Sequence, residues 1–451
     1  MDWKTPGSPS QLEINGKLET KASVIAKHVN EFFTSKVKLI RDAIVNVPAN
    51  YSTCQKIMDG KHCGLSLSHV QVKRVKELLK NLKTSKSTSI DELDNYAVKI
   101  SADVIAEPLH HIITLSILQK KFPSCWKYGK IIPLHKKECP LQAKNYRPVT
   151  ILSPLSKVLE RLIFEQLYDY FTRNHLFHSN LHGYRKNRST QTAMIQMYDR
   201  WVKAAVAGQV SGVVLLDLSA AFDLVDPGIL LHKLKIYGLD DGMLQWIESY
   251  LTSRQQGVWI DHVLSDFLQC EVVVPQGSIL GPLLFLIFYN DLPYSLNCEI
   301  DAYADDSTMT VTAPSTQTIG QVLTDSCAVV SQWMWANKLK LNADKTHLLT
   351  VGTAERLRNL QNPVNVEMEG FTLTEGADKC ELLLGVQIQA NLKWHEQIKL
   401  LHEKLQTRLA GLMKLKFILQ QHILKTFAEG LFNSVLVYCL PLFGGCDKGG
   451  D

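Results

Sequence analysis

Three aspartates stand where charge is costly. Asp217 closes the apolar run from Gly212 to Leu216, and Asp305 and Asp306 interrupt the apolar, β-rich stretch from Ile300 to Val311. A carboxylate at the end of a strand buried on both faces is unfavourable unless it is paired or meets a cation. If the two strands are neighbours, the three carboxylates converge. Two like charges about 4 Å apart repel by roughly 4 kcal/mol at an effective dielectric of about 20, so such a cluster is stable mainly around divalent cations. With oxygen donors and neither His nor Cys beside them, the ion expected is Mg2+, with Mn2+ as a substitute. Two such ions, about 3.5 to 4 Å apart, activate an attacking hydroxyl and stabilise the departing oxygen of a phosphoryl transfer. These residues alone also admit a plainer reading, with Asp305-Asp306 as a turn and Asp217 as a strand-end cap.

The elements that must position them belong to a chain of 451 residues, 45% hydrophobic and 21% charged. That is enough apolar material for two or three packed domains and too much for a disordered chain. The longest apolar runs, such as Ser278 to Tyr289, fall short of the about 18 to 20 residues of a membrane span, and the N-terminus lacks a signal-peptide pattern. Neither secretion nor membrane insertion is expected. Ten cysteines without a C-x-x-C pair predict a reduced compartment and no structural zinc. The net charge is only +5, but basic residues concentrate: six against one acid in 71–86, six against one in 126–147, and seven against two in 391–425. Such stripes suit a groove for a phosphodiester backbone, although any single one is equally a solvated helix face.

Residues 1–20 read as a frayed lead-in, and Ile25, Val29, Phe32, Val37, Ile40 and Ile44 as one face of an amphipathic helix over 21–44. A linker follows from Asn46 to Gly64, then helices over 68–82 and 95–121. Short strands at Ile131–Leu134 and Pro148–Ile151 flank a basic loop, and a helix runs from Ser156 to Asn174. Helical periodicity spans Ile229 to Leu251, a hairpin Gln256 to Val274, and a strand-turn-strand Ile300 to Val311 with acids at its turn. One more helix covers Ile319 to Trp333, and a strand pair bends at Gly385. The basic end is helical, with Leu401, Leu405, Leu409 and Leu412 on one stripe. The irregular mixture predicts an α+β fold.

Tyr303-Ala304-Asp305-Asp306 resembles the Y-x-D-D box of reverse transcriptases. Leu216 to Asp223 resembles their first palm motif, and Pro275-Gln276-Gly277 through Phe285 the loop-helix motif between the two. Upstream, Phe122-Pro123, Trp126-Lys127, Pro133 to Lys137, Asn145 to Val149 and Ser156 to Glu160 resemble the fingers of non-LTR (LINE-type) retrotransposon polymerases, nearest the jockey-like group. His182-Gly183-Tyr184-Arg185, Trp335 to Leu339 with Asn342 and Lys345-Thr346, and Leu384-Gly385-Val386 match later blocks. The resemblance covers residues 75 to 445.

It implies a right-hand polymerase: an N-terminal extension over 1–64, fingers over 65–205, a palm over 206–395 with a ferredoxin-like antiparallel sheet, and a truncated helical thumb over 396–451. The implied activity is RNA-directed DNA synthesis, extending a DNA 3′-hydroxyl on an RNA template with dNTPs. Asp217, Asp305 and Asp306 would be the catalytic metal ligands, and Lys345 the general acid for the leaving pyrophosphate. Lys136 and Arg147 would hold the triphosphate, and Phe222 would exclude a ribose 2′-hydroxyl. Gln276 and Gly277 would close on the nascent base pair, leaving Asp223 and Asp226 as turn or capping groups. Expected partners are the RNA template and a DNA primer or RNA–DNA hybrid, with no membrane. The family's life cycle implies the nucleus and cytoplasm. Neither an endonuclease nor an RNase H region is recognisable, and Val273 replaces the family's usual glycine two residues before Pro275. Two rivals remain: a nucleic-acid-binding relic without catalysis, and an RNA-dependent RNA polymerase, which Phe222 and the Tyr303–Asp306 box disfavour.

Overall fold

The apolar run before Asp217 becomes the strand Val210–Leu216. In the computed structural model, which describes residues 7–84, 87–136, 138–270, 274–342, 345–373, 375 and 379–444, this strand lies inside a four-stranded sheet. The order is His347–Val351, Val210–Leu216, Asp306–Ala313, Glu299–Tyr303, and every pairing is antiparallel. The chain divides into two units, and this sheet belongs to the one built from Ser179–Leu218, Ser295–Gln332 and Leu341–Asp451. Val213, Leu349 and Val351 bury against Met194, Met197 and Trp201 of the helix Thr190–Val206. Ser189 opens that helix with a reciprocal cap: its hydroxyl accepts from the Thr192 N–H while the Thr192 hydroxyl accepts from the Ser189 N–H.

The other unit comprises Met1–His178, Ser219–Tyr294 and Trp333–Lys340. Its sheet runs Tyr146–Ile151, Tyr128–His135, Gln255–Ile260, Val263–Leu264, with Leu268–Gln269 also paired to Gln255–Ile260. Tyr128–His135 and Gln255–Ile260 are parallel, and the remaining pairs antiparallel. The amphipathic helix forms over Ala22–Asp42 and sets Ile25, Ala26, Val29 and Phe33 against Ile131, Val258 and Ile260 of this sheet.

Several expectations need correction. The stretch read as a frayed lead-in holds the hairpin Leu12–Ile14 and Lys17–Glu19, and Leu12 is fully buried in the same core. The linker contains the helix Ser52–Met58, which buries Cys54 and Ile57. The helix expected over 95–121 is two, Asn95–Ile100 and Ala102–Leu118, and the one over Ile229–Leu251 is likewise two, Pro227–Ile236 and Asp241–Leu251. Capping explains the latter break, since Asp226 accepts from the Ile229 N–H and Asp240 from the Met243 N–H, each starting its own helix. Among the described residues no helix is long and apolar enough to cross a membrane.

Because Leu12 fills a closed core, Leu12→Ala costs about 2 to 5 kcal/mol in urea denaturation of the full chain. Truncation in a frayed segment would change stability by no more than about 0.5 kcal/mol.

Candidate active site

The strand Val210–Leu216 pairs with Asp306–Ala313 as far as Leu216 opposite Ser307. One further step of that register sets Asp306 across from Asp217, on the same face of the sheet. Asp306 also pairs with Tyr303, so the hairpin turns through Ala304 and Asp305, with Ala304 at φ 60°. A positive φ on the first of two turn residues is the pattern of a type II′ hairpin turn. Charge registers the crowding. The Asp306 carboxyl is pushed up to about 6, first by desolvation and then by Asp305 and Asp217.

Asn342 fixes Asp217 twice: its Nδ2 donates to Asp217 Oδ2 at 2.8 Å, and its backbone N–H to the Asp217 carbonyl at 2.9 Å. Lys345 is exposed three residues on, its N–H donating to the Asn342 carbonyl at 3.1 Å. Behind the hairpin, the Ala302 N–H donates to the Asn180 carbonyl at 2.9 Å and the His182 N–H to the Ala302 carbonyl at 2.8 Å. Gly183 therefore lies against the turn. A Cβ there would overlap the Ala304 nitrogen and sit 3.1 Å from the Ala304 Cα. Tyr184 comes next, its hydroxyl pushed up to about 12 by burial and then by the Asp305 charge. Further back, buried Asp301 accepts from Arg200 Nη2 at 3.1 Å and Gln196 Nε2 at 3.3 Å, holding the strand Glu299–Tyr303 to the helix Thr190–Val206.

Among the described residues no three His, Cys, Asp or Glu side chains form a ready metal cage. The donor chemistry nonetheless fits a hard divalent cation. Asp217, Asp305 and Asp306 offer oxygen alone, and their mutual charge is what such an ion would relieve.

The expected nucleotide-binding residues gather in the other unit. Leu134 pairs with Arg147, and the Lys136 N–H donates to the Asn145 carbonyl at 2.9 Å. That register puts the exposed Lys136 and Arg147 on one face of a single hairpin. Thr150, on the same strand as Arg147, donates its N–H to the Gln276 carbonyl at 2.8 Å. Gly277 has φ 117°, and a Cβ there would overlap the Thr150 carbonyl oxygen. The glycine is thus required by strand contact. Gln276 Nε2 donates to Asp223 Oδ1 at 3.1 Å, and Phe222, half-buried beside Asp223, stacks on Phe285 with ring centroids 4.5 Å apart. Burial raises the Asp223 carboxyl, against the Gln276 hydrogen bond and the charges of Lys36, Lys136 and Arg41. Asp226 caps a helix, as expected, and also accepts from Lys338 Nζ at 2.6 Å. Val273 lies outside the described residues.

Three residues with evident positional roles were not singled out by their type. Asn342, Gly183 and Glu160 all stand within matched blocks, yet only the structure shows what they touch. Glu160 is fully buried, and its Oε2 accepts from the Ile279 and Leu280 N–H groups at 2.7 and 3.2 Å and from the Tyr250 hydroxyl at 3.2 Å. It anchors the start of the helix Leu280–Tyr289, directly after the Gln276-Gly277 loop.

Residues 134–401 match the family model described as reverse transcriptase (RNA-dependent DNA polymerase). The chain is 26% identical to the probable RNA-directed DNA polymerase from transposon BS of Drosophila melanogaster, across 84% of this chain and 42% of that protein. It is also 26% identical to the RNA-directed DNA polymerase from mobile element jockey of Drosophila funebris, across 96% of this chain and 48% of that protein. The chain spans less than half the length of these relatives.

The Gly183 contact can be tested directly. Gly183→Ala destabilises the protein by about 1 to 3 kcal/mol and speeds backbone hydrogen exchange across 303–307. Gly411→Ala, where an added Cβ meets nothing within 4 Å, leaves that exchange unchanged.

Proposed function

The chain belongs to the reverse transcriptase (RNA-dependent DNA polymerase) family, and on that premise we propose that it is the polymerase module of a non-LTR retrotransposon. In this reading it extends a DNA 3′-hydroxyl on an RNA template, consuming deoxynucleoside triphosphates. The observation that carries the reading is the Tyr303–Asp306 hairpin paired beside the strand Val210–Leu216, which leads into Asp217. The fingers are assigned to 65–205, the palm to 206–395 around the four-stranded sheet, and the thumb to 396 onward.

Asp217, Asp305 and Asp306 would hold divalent cations, which supply the positive charge that phosphoryl transfer requires. Every other part falls to the chain's own groups. Asn342 orients the Asp217 carboxylate, and Gly183 allows the backbone at 180–183 to support the turn. Lys136 and Arg147, cations on one face of a hairpin, bind the triphosphate; the planar Arg fork suits paired phosphate oxygens. Gln276 closes on the nascent base pair. Phe222, already packed on Phe285, has little freedom to yield to a 2′-hydroxyl. Lys345, exposed and tied through its backbone to Asn342, delivers a proton to the leaving pyrophosphate.

Primer extension on poly(rA) with oligo(dT) and Mg2+ tests the reading. Asp217→Asn or Asp305→Asn lowers extension by about 10²- to 10³-fold or more while the protein stays folded and retains primer-template. Loss of binding together with the folded state would make these aspartates structural.

Sugar choice separates this reading from RNA synthesis. Phe222→Ala raises ribonucleotide use relative to deoxynucleotide use, by about tenfold for each 1.4 kcal/mol of overlap relieved. Single-nucleotide extension with matched dNTP and rNTP measures the ratio, and an unchanged ratio in an active variant places the filter elsewhere.

A further inference from the structure

Asp223 has no part in the chemistry assigned above, yet it occupies a demanding place. It lies on the short helix Ala221–Leu224, one residue after Phe222, and its backbone N–H donates to the carbonyl of Ala220, a residue in the left-handed region at φ 52°. Burial works against its charged form, and a turn position gives no reason to keep an acid there. What the acid does is accept a hydrogen bond from Gln276 Nε2 at 3.1 Å.

We propose that Asp223 is a positioning residue for nucleotide selection, fixing the carboxamide of Gln276 so that its Nε2 faces Asp223 and its oxygen faces the opposite way. The inference rests on the polymerase reading, in which Gln276 meets the nascent base pair. A carboxamide has a donor end and an acceptor end of nearly equal size, and a neutral neighbour accepts either orientation. An ionised carboxylate accepts only, so it selects one. Burial raises the Asp223 carboxyl, and the Gln276 hydrogen bond with the charges of Lys36, Lys136 and Arg41 pulls the other way, toward the ionised form.

The backbone of the loop is held by other contacts. Thr150 binds the Gln276 carbonyl, Gly277 packs on the Thr150 carbonyl, and Glu160 anchors Ile279 and Leu280. Removing the Asp223 side chain therefore frees the Gln276 side chain and leaves the loop in place. The same short helix carries Phe222, stacked on Phe285 of the helix that follows the loop. Sugar filter and base-pair contact are thus tied to one another through adjacent residues.

The test is a double-mutant cycle read by single-nucleotide extension of the full chain, with thermal unfolding and primer-template affinity measured alongside. Asp223→Ala is expected to raise the KM for a correct dNTP about tenfold, the scale of one hydrogen bond to a charged group, with kcat, unfolding and primer-template affinity little changed. Asp223→Asn, a neutral partner that can pair with either end of the Gln276 carboxamide, recovers little of the loss. In a Gln276→Ala background, Asp223→Ala adds nothing further. If Asp223→Ala does not fold, Asp223→Ser takes its place in the cycle with the same expectation. Losses that multiply in the double variant, in an enzyme whose wild type extends primers, overturn this proposal alone. A wild type that extends no primer overturns the polymerase reading and this proposal with it.

Discussion

Repulsion among three carboxylates is the constraint on which the sheet of the acidic site depends. Left to themselves, Asp217, Asp305 and Asp306 would separate; the Asp306 carboxyl is raised first by burial and then by the charges of Asp305 and Asp217. The strand leading to Asp217 cannot splay, because it is hydrogen-bonded on one edge to His347–Val351 and on the other to Asp306–Ala313. Asn342 then ties both the backbone and the side chain of Asp217. The turn opposite is supported from behind at Gly183. Each device removes one route by which the acids could move apart, so the negative charge stays concentrated.

The Gln276-Gly277 loop is likewise held by polar contacts. Glu160 shows the logic most plainly: a buried acid is tolerated because the first turn of the helix Leu280–Tyr289 offers N–H groups with no partner inside the helix. Burial still raises its carboxyl, and the charge of Arg254, the two N–H groups and Tyr250 oppose that shift. A hydrophobic residue at this position would leave those N–H groups without an acceptor. The start of the helix, and with it the Gln276-Gly277 loop, would lose its anchor.

Most elements were legible because apolar spacing announces them. The strand before Asp217 and the hairpin around Asp305 follow from short continuous apolar runs, and the helix Ala22–Asp42 from periodicity. The acidic hairpin was legible for a further reason, since charges in an apolar strand demand an explanation. What escaped had no such local signal. Leu12–Ile14 and Lys17–Glu19 are three residues each, too short for alternation to emerge, and Leu12 becomes core only through Ile25, Val29 and Val258. The helix Thr190–Val206 buries Ala and Met beside exposed polar residues, a weaker stripe than Leu or Ile would give. Lys233 and Asp291, both fully buried with 2.6 Å between Nζ and Oδ1, look from sequence like ordinary surface charges. Only long-range packing pairs them.

Those long-range polar contacts share a property that apolar packing lacks. Apolar contact is non-directional, whereas a hydrogen bond prefers a donor angle above about 150° and weakens steeply below about 120°. Asn342 on Asp217, Glu160 on Ile279 and Leu280, and Asp223 on Gln276 are all directional contacts, and in the polymerase reading proposed above they hold residues at, or next to, the chemistry. The apolar cores around Trp201 and Ile131 make the two units stable but do not fix a carboxylate or an amide to within a fraction of an ångström. Phosphoryl transfer needs that precision, because misplacing a reacting group by about 1 Å costs on the order of a hundredfold in rate. Buried polar residues, unfavourable by their desolvation, therefore persist where position matters more than stability.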